Sequence, residues 1–199
     1  MSARAVLLAL LLAIVACSRG AENARPLIVP PGTAPTLDFP GSPAQVLLEG
    51  SATQGDVAVL EFTVAPRSFG APPHVHHDED EYLYVLEGEV QLLNEDEVVA
   101  APTGSFAAMT RGHLHAFWNA SDAPARLLVA IAPGAFGAFF DQVVAELRVS
   151  GTADPAKVGE TIARVGSSFH IELHPERVPE RAKRFLPRPA EPEPEEKAR

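Results

Sequence analysis

Two short polar clusters, set into a run of apolar strand-like segments, constrain this chain more than any other feature. Residues 70–88 read Gly-Ala-Pro-Pro-His-Val-His-His-Asp-Glu-Asp-Glu-Tyr-Leu-Tyr-Val-Leu-Glu-Gly, and residues 104–119 read Gly-Ser-Phe-Ala-Ala-Met-Thr-Arg-Gly-His-Leu-His-Ala-Phe-Trp-Asn. Five of the seven histidines (His74, His76, His77, His113 and His115) fall inside them. Successive side chains on a strand point to opposite faces, so His74 and His76 share a face and Val75 takes the other. A turn over Asp78–Asp80 would return Glu81 to the side of that pair. In the second cluster His113, His115 and Phe117 share one face of an extended segment. Three imidazoles and one carboxylate gathered in this way suit a first-row divalent metal with positions left open for water or ligand. By contrast, His77 reads as a solvated turn residue, the Asp78–Asp80 run as a polar loop, and His170 and His174 as structural.

The segments around the clusters define an architecture. Strand-like runs fall at about 44–49, 55–65, 81–86, 89–93, 96–101, 104–109, 114–119 and 125–132, judged by alternation and β-branched content. Gly88, Asn94, Gly104, Gly112 and Ser121-Asp122 punctuate them as turns. Many short strands at this spacing predict a sandwich or jelly-roll barrel. Residues Leu83–Leu86 are apolar on both faces, so one face fills the barrel and the other needs a second sheet or a dimer partner. After Pro133-Gly134 the period changes. Phe136, Phe139, Phe140, Val143, Val144 and Leu147 recur at helical spacing and read as core packed on the outside of the barrel. A second helix is expected from Asp154-Pro155, with Asp154 as its cap, to about Val165 and a stop at Gly166.

The two clusters resemble the paired motifs of the cupin superfamily. The first family motif runs His-x-His, three or four residues, Glu, six residues, Gly; here it is His74, His76, four residues, Glu81, six residues and Gly88. The second runs Gly, five residues, Pro-x-Gly, two residues, His, three residues, Asn; here it is Gly104, five residues, Thr110-Arg111-Gly112, two residues, His115, three residues and Asn119. There are two departures. Gly70 sits four positions before His74 rather than six, a difference read as touching only a turn, and Thr110 replaces the motif proline, which frees φ before Gly112. The resemblance covers about residues 44–133. It implies an all-β double-stranded β-helix with C-terminal helices, and His74, His76, Glu81 and His115 as ligands of one divalent metal. Fe, Mn, Ni, Cu, Co and Zn all accept such donors. The run Pro133-Gly134-Ala135-Phe136-Gly137-Ala138-Phe139-Phe140 is similar to a helix that follows the last barrel strand in quercetin dioxygenase-like cupins.

Composition narrows the class of partner. A formal net charge of −10 argues against nucleic acid, whose binding needs a basic patch, and against direct docking on anionic lipid. The N-terminus reads as an export signal over residues 1–16: Arg4 gives a short basic region, and the apolar run Ala5–Ala16 is too short to span a bilayer. It ends at Cys17, the one cysteine of the chain, in a setting that resembles a bacterial lipoprotein signal. Domain boundaries are expected at 17–43 for a lipidated Cys17 and Pro-rich tether, 44–133 for the barrel, 134–186 for a helical extension and 187–199 for an acidic Pro- and Glu-rich tail. The expected location is the bacterial cell envelope, with membrane contact only through Cys17 and a homodimer as a further possibility.

The chemistry implied by the resemblance is dioxygenation of a small enolic or phenolic substrate at the metal. Glu81 is a candidate proton acceptor and His113 a candidate general acid or base at the mouth. Phe106, Met109, Phe117 and Trp118 are candidate walls. Arg111 is the one basic residue near the clusters, which favours a neutral ligand. Two other classes fit the same ligands: a non-redox isomerase or lyase, and a metal- or ligand-binding envelope module without turnover.

Overall fold

The computed structural model describes residues 26–187; the signal segment, Cys17 and nearly all of the acidic tail lie outside these residues. Eleven strands form two antiparallel sheets. The first sheet contains β1 (Thr36–Leu37), β2 (Ala44–Leu48), β3 (Ala58–Val64), β10 (Ala125–Ala132), β5 (Asp80–Glu87) and β8 (Phe106–Met109), in that spatial order. The second contains β11 (Ile171–Leu173), β4 (Ser68–His76), β9 (His115–Asn119), β6 (Glu89–Asn94) and β7 (Glu97–Pro102). Helices α1 (Gly137–Ser150) and α2 (Pro155–Ser168) follow the last long strand. The fold is the expected all-β double-stranded β-helix with C-terminal helices.

Strict alternation builds the core. On β3, Ala58, Leu60, Phe62 and Val64 are buried, and on the adjacent β10 Ala125, Leu127, Val129 and Ile131 are paired beside them on the same inner face. Leu83 and Val85 of β5 and Val90 and Leu92 of β6 complete the interior. Buried apolar area of this kind is the main favourable term in folding, at about 25 cal/mol per Å² removed from water.

Several expected boundaries shift. The segment read as a tether through residue 43 joins the fold earlier: Thr36 and Leu37 pair with Gln45 and Ala44, and the Phe39 ring packs on Phe139 and Phe140. The extension after residue 133 is not purely helical, because Ile171–Leu173 adds a strand to the free edge of β4, with Ile171 opposite His76 and Leu173 opposite His74. Gly70 lies within β4 rather than in a turn, and a side chain there would run into the Phe117 ring. Phe136, just before α1, and Phe139 and Phe140 within it are core residues, as the helical spacing predicts. α2 runs on past Gly166 to Ser168, and its expected cap is present, with the Asp154 side chain accepting from the Ala156 amide.

The outer faces also differ from expectation. Among the described residues the outer side of β5 is left partly open: Tyr84 is exposed, and Tyr82 stacks on an exposed Phe106 at 6.4 Å. It is β9 that is buried on both faces. His115 and Phe117 point into the barrel, while Ala116 and Trp118 join a second cluster with Leu93, Val178, Ala182 and Phe185. Residues 175–185, two short 3-10 turns, thus cover the back of the second sheet. Among the described residues no helix is long and apolar enough to cross a membrane.

Candidate metal centre

Strand β4 delivers two histidines and then leaves the sheet. Its pairing with β9 is irregular between Ala71 and His74, where Pro72 and Pro73 have no N–H to give to the ladder. Regular pairing resumes with His74 directly opposite His115 of β9. The chain then crosses over residues 77–79 to the other sheet, where β5 brings Glu81 inward opposite Met109 and Ile131. The Gly112 amide donates to the His76 carbonyl at 2.7 Å, tying the two sequence clusters together; Gly112 takes a φ of +79° there, a conformation that glycine adopts without strain.

His74, His76, Glu81 and His115 converge, with one ligand atom of each lying within 4.8 Å of the others, and all four are buried at 3–6% exposure. His74 Nε2 is 3.1 Å from His76 Nε2. Glu81 Oε2 lies 3.6 Å from His76 Nε2 and 3.4 Å from His115 Nε2. Each ring is held through its other nitrogen: His74 Nδ1 donates to the Pro72 carbonyl at 2.7 Å, His115 Nδ1 to the His113 carbonyl at 3.0 Å, and His76 Nδ1 to Glu79 at 3.3 Å. All three Nε2 atoms therefore face one point.

This donor set fits a mononuclear divalent metal. Donors about 2.1 Å from an ion sit about 3.0–3.4 Å apart at octahedral or tetrahedral angles, close to the separations seen. His115 Nε2 is buried and without a hydrogen-bond partner; an unmet polar atom in such a place calls for an explanation, and an ion supplies one.

The electrostatics of the metal-free cluster are uneven. Burial, then the neighbouring His115 and His76, push His74 down to about 3. For His76 burial acts in the same direction, but Glu81 and Glu79 outweigh it and raise the imidazole above its ordinary value. Glu81 is held below the usual carboxylate range: its burial opposes the charge, and His115 and His76 overcome that opposition. The metal-free cluster thus disfavours charge on His74 and favours it on Glu81 and His76.

A prediction follows for metal uptake. Ligation needs a bare Nε2, so any proton on His76 must leave, and binding below its raised value is expected to release that proton to buffer. The sign is fixed by the raised His76 value: affinity rises with pH until that value is passed and then levels. Calorimetric titration of the metal in buffers of differing ionisation enthalpy measures the release directly. Uptake with no proton release even at the ordinary imidazole value of 6.5 would mean that His76 is not raised. The stability of the metal-free protein follows the same groups. The raised His76 contributes below its ordinary value of 6.5 and is lost as pH climbs through the folded one. The lowered His74 and Glu81 contribute above their ordinary values and are lost on acidification.

Other expected site residues fall elsewhere. His113 does not share a face with His115. Its amide donates to the Thr110 carbonyl in the turn before β9, so strand alternation does not reach back to it. Its side chain is 62% exposed and pairs with Glu95 at 3.0 Å. Among the candidate walls, Met109 and Phe117 are inside, Trp118 is on the back of the sheet, and Phe106 is on the surface. Arg111 is engaged by Asp80 through Nε at 3.1 Å and Nη2 at 2.9 Å. Asn119, at the end of the second motif, is structural: its Nδ2 donates to the Val64 and Ala123 carbonyls. The sequence reading placed Phe136 in the core and not beside the site; its ring meets His76 edge-on at 4.7 Å between centroids.

An all-β jelly-roll barrel with a buried three-histidine, one-carboxylate cluster at its inner wall defines the class of the protein. Residues 60–131 match the cupin domain family. No curated protein matches the chain. Among solved structures it is similar to a sugar phosphate isomerase from Silicibacter pomeroyi (29% identity, TM-score 0.41, 46% of this chain and 59% of that one). It is also similar to the polyketide cyclase RemF from Streptomyces resistomycificus (24% identity, TM-score 0.46, 53% and 78%). A third is the hydroxypropylphosphonic acid epoxidase from S. wedmorenis (23% identity, TM-score 0.46, 53% and 58%). The chain thus spans under two thirds of the isomerase and of the epoxidase.

Proposed function

We propose that the protein is a metal-dependent dioxygenase acting on a small, neutral enolic or phenolic substrate. The observation that carries this reading is the convergence of His74, His76, Glu81 and His115, buried and with their Nε2 and carboxylate atoms facing one point. The surroundings favour a neutral ligand. Met109 and Phe117 are apolar neighbours, Phe136 lies on His76, and the nearby guanidinium of Arg111 is neutralised by Asp80.

When bound, the metal supplies Lewis acidity and, where it is redox-active, the electron transfer that O₂ activation requires. The chain's residues do the rest. The Pro72 and His113 carbonyls and the Glu79 carboxylate fix the three rings. Glu81 supplies the negative charge of the set, and its carboxylate is the group placed to accept a substrate proton. The phenylalanines exclude water.

The test is metal analysis of the mature protein followed by oxygen uptake against a panel of enols and catechols. About one equivalent of Fe, Mn, Ni, Cu or Co with substrate-dependent O₂ consumption supports the reading, in keeping with the donor chemistry. Bound metal with no O₂ consumption shifts the reading to a module that holds metal or ligand without turnover. The tight cover of His76 by Phe136 favours that second reading.

Export and a lipid anchor at Cys17 complete the proposal. They rest on the sequence of residues 1–17, outside the described residues. Cys17→Ala is expected to move the protein from the membrane to the soluble fraction of the envelope. Unchanged fractionation, with an unmodified N-terminal mass, would argue against lipidation.

A further inference from the structure

The acidic run Asp78-Glu79-Asp80-Glu81 joins the two sheets beside the metal centre, and its four carboxylates go four ways. Asp78 pairs with His170 at 2.6 Å, Asp80 grips Arg111, and Glu81 faces the ring nitrogens of His76 and His115. Glu79 is the remaining one. It is 8% exposed, and among the described residues its one side-chain hydrogen bond is that from His76 Nδ1, at 3.3 Å. A carboxylate taken out of water is costly unless it is paired, so burial without another partner commits Glu79 to this ring.

The three ligand histidines are not supported alike. His74 and His115 donate to backbone carbonyls, which are neutral acceptors. His76 alone donates to an anion. An anionic acceptor at Nδ1–H fixes the tautomer and raises the donor strength of Nε2, and charge-assisted hydrogen bonds are the stronger kind. Packing also restrains the ring: Phe136 meets it edge-on and the His115 ring lies nearly parallel to it at 5.5 Å. Orientation therefore has two sources, whereas the negative charge at Nδ1 comes from Glu79.

We infer that Glu79 is a positioning residue of the metal centre, holding His76 with Nδ1 protonated and strengthening its Nε2 as a donor. The inference rests on the metal-centre reading above. Glu79 lies outside the converging group of four and is not itself a ligand.

The test uses the full chain, wild type beside Glu79→Gln and Glu79→Leu, with cobalt(II) alone as the probe. Affinity is measured by chelator competition. Glu79→Leu is expected to weaken binding by roughly 10–100-fold, the usual cost of losing such a support. Glu79→Gln keeps an acceptor and loses the charge, so its loss is smaller. In the cobalt protein the shifted resonance of the His76 Nδ1 proton should move in Glu79→Gln and exchange with solvent in Glu79→Leu, while those of His74 and His115 stay. A merely structural Glu79 would lower the thermal midpoint of the metal-free protein and leave the affinity and the resonance unchanged. Should Glu79→Leu fail to fold, the near-isosteric Glu79→Gln carries the test through its resonance and affinity. Variants that bind cobalt as tightly as wild type, with an unmoved His76 signal, overturn the inference alone. A wild type that takes up no cobalt overturns the metal-centre reading and this inference together.

Discussion

His115→Ala is expected to leave the protein folded and empty its metal site. Loss of a group that merely supports a ligand costs roughly 10–100-fold in affinity, and loss of the ligand itself should exceed that. Metal content after desalting should therefore fall from about one equivalent to background. The metal-free fold should tolerate the change. His115 Nε2 has no hydrogen-bond partner, so the change removes an unmet polar atom, against the packing of the ring and its 3.4 Å contact with Glu81. What disappears is the stabilisation by metal, which for a site saturated at a thousand times its dissociation constant is about 4 kcal/mol. Thermal unfolding with and without added metal separates the two: wild type should gain on metal addition and the variant should not. A His115→Ala protein that keeps its full metal content would show that the ion is held elsewhere.

Phe136→Ala is expected to be the most costly single truncation near the centre. The ring is 3% exposed and touches His76, Phe139, Phe140 and Phe169. Deleting a buried phenylalanine costs about 3–5 kcal/mol, transfer and cavity together. For a domain of this size that is roughly 6–20 °C in the thermal midpoint. The cavity would open beside His76, so a chelator should also extract the metal faster than from wild type. Phe106→Ala is the control, because that ring is 65% exposed and surface changes of this kind fall within about 0.5 kcal/mol. Equal midpoints for the two variants would mean that Phe136 is not the packed cover of the centre.

What the sequence makes legible here is whatever depends on local spacing. His74 and His76 share a face because a strand alternates, Glu81 arrives five residues after His76 on the next strand, and Asp154 caps a helix because its side chain reaches an amide two residues on. Features made by distant partners are hidden. Ile171–Leu173 is a strand only because β4 offers it an edge, and Thr36–Leu37 looks like tether until β2 pairs with it. The acidic run looks like a solvated loop because the partners of Asp78 and Asp80 lie far along the chain, at His170 and Arg111. Its inward member, Glu79, carries no local mark beyond sitting three residues after His76. The face shared by His113 and His115 fails for a local reason, since a turn ends only at His115 and periodicity has no meaning across it.

The strand that bears His74 and His76 has its outer edge closed by β11, which is synthesised roughly a hundred residues later, a long-range pairing of the slow-forming kind. A nascent chain can lay down β3 to β10 while β4 still exposes a row of unpaired amides and carbonyls, the state most open to wrong partners. Closure comes when residues 171–173 dock, bringing the His77 amide to the His170 carbonyl and the His174 amide to the Pro73 carbonyl. The ligand strand is thus paired on both sides only after synthesis has passed residue 174.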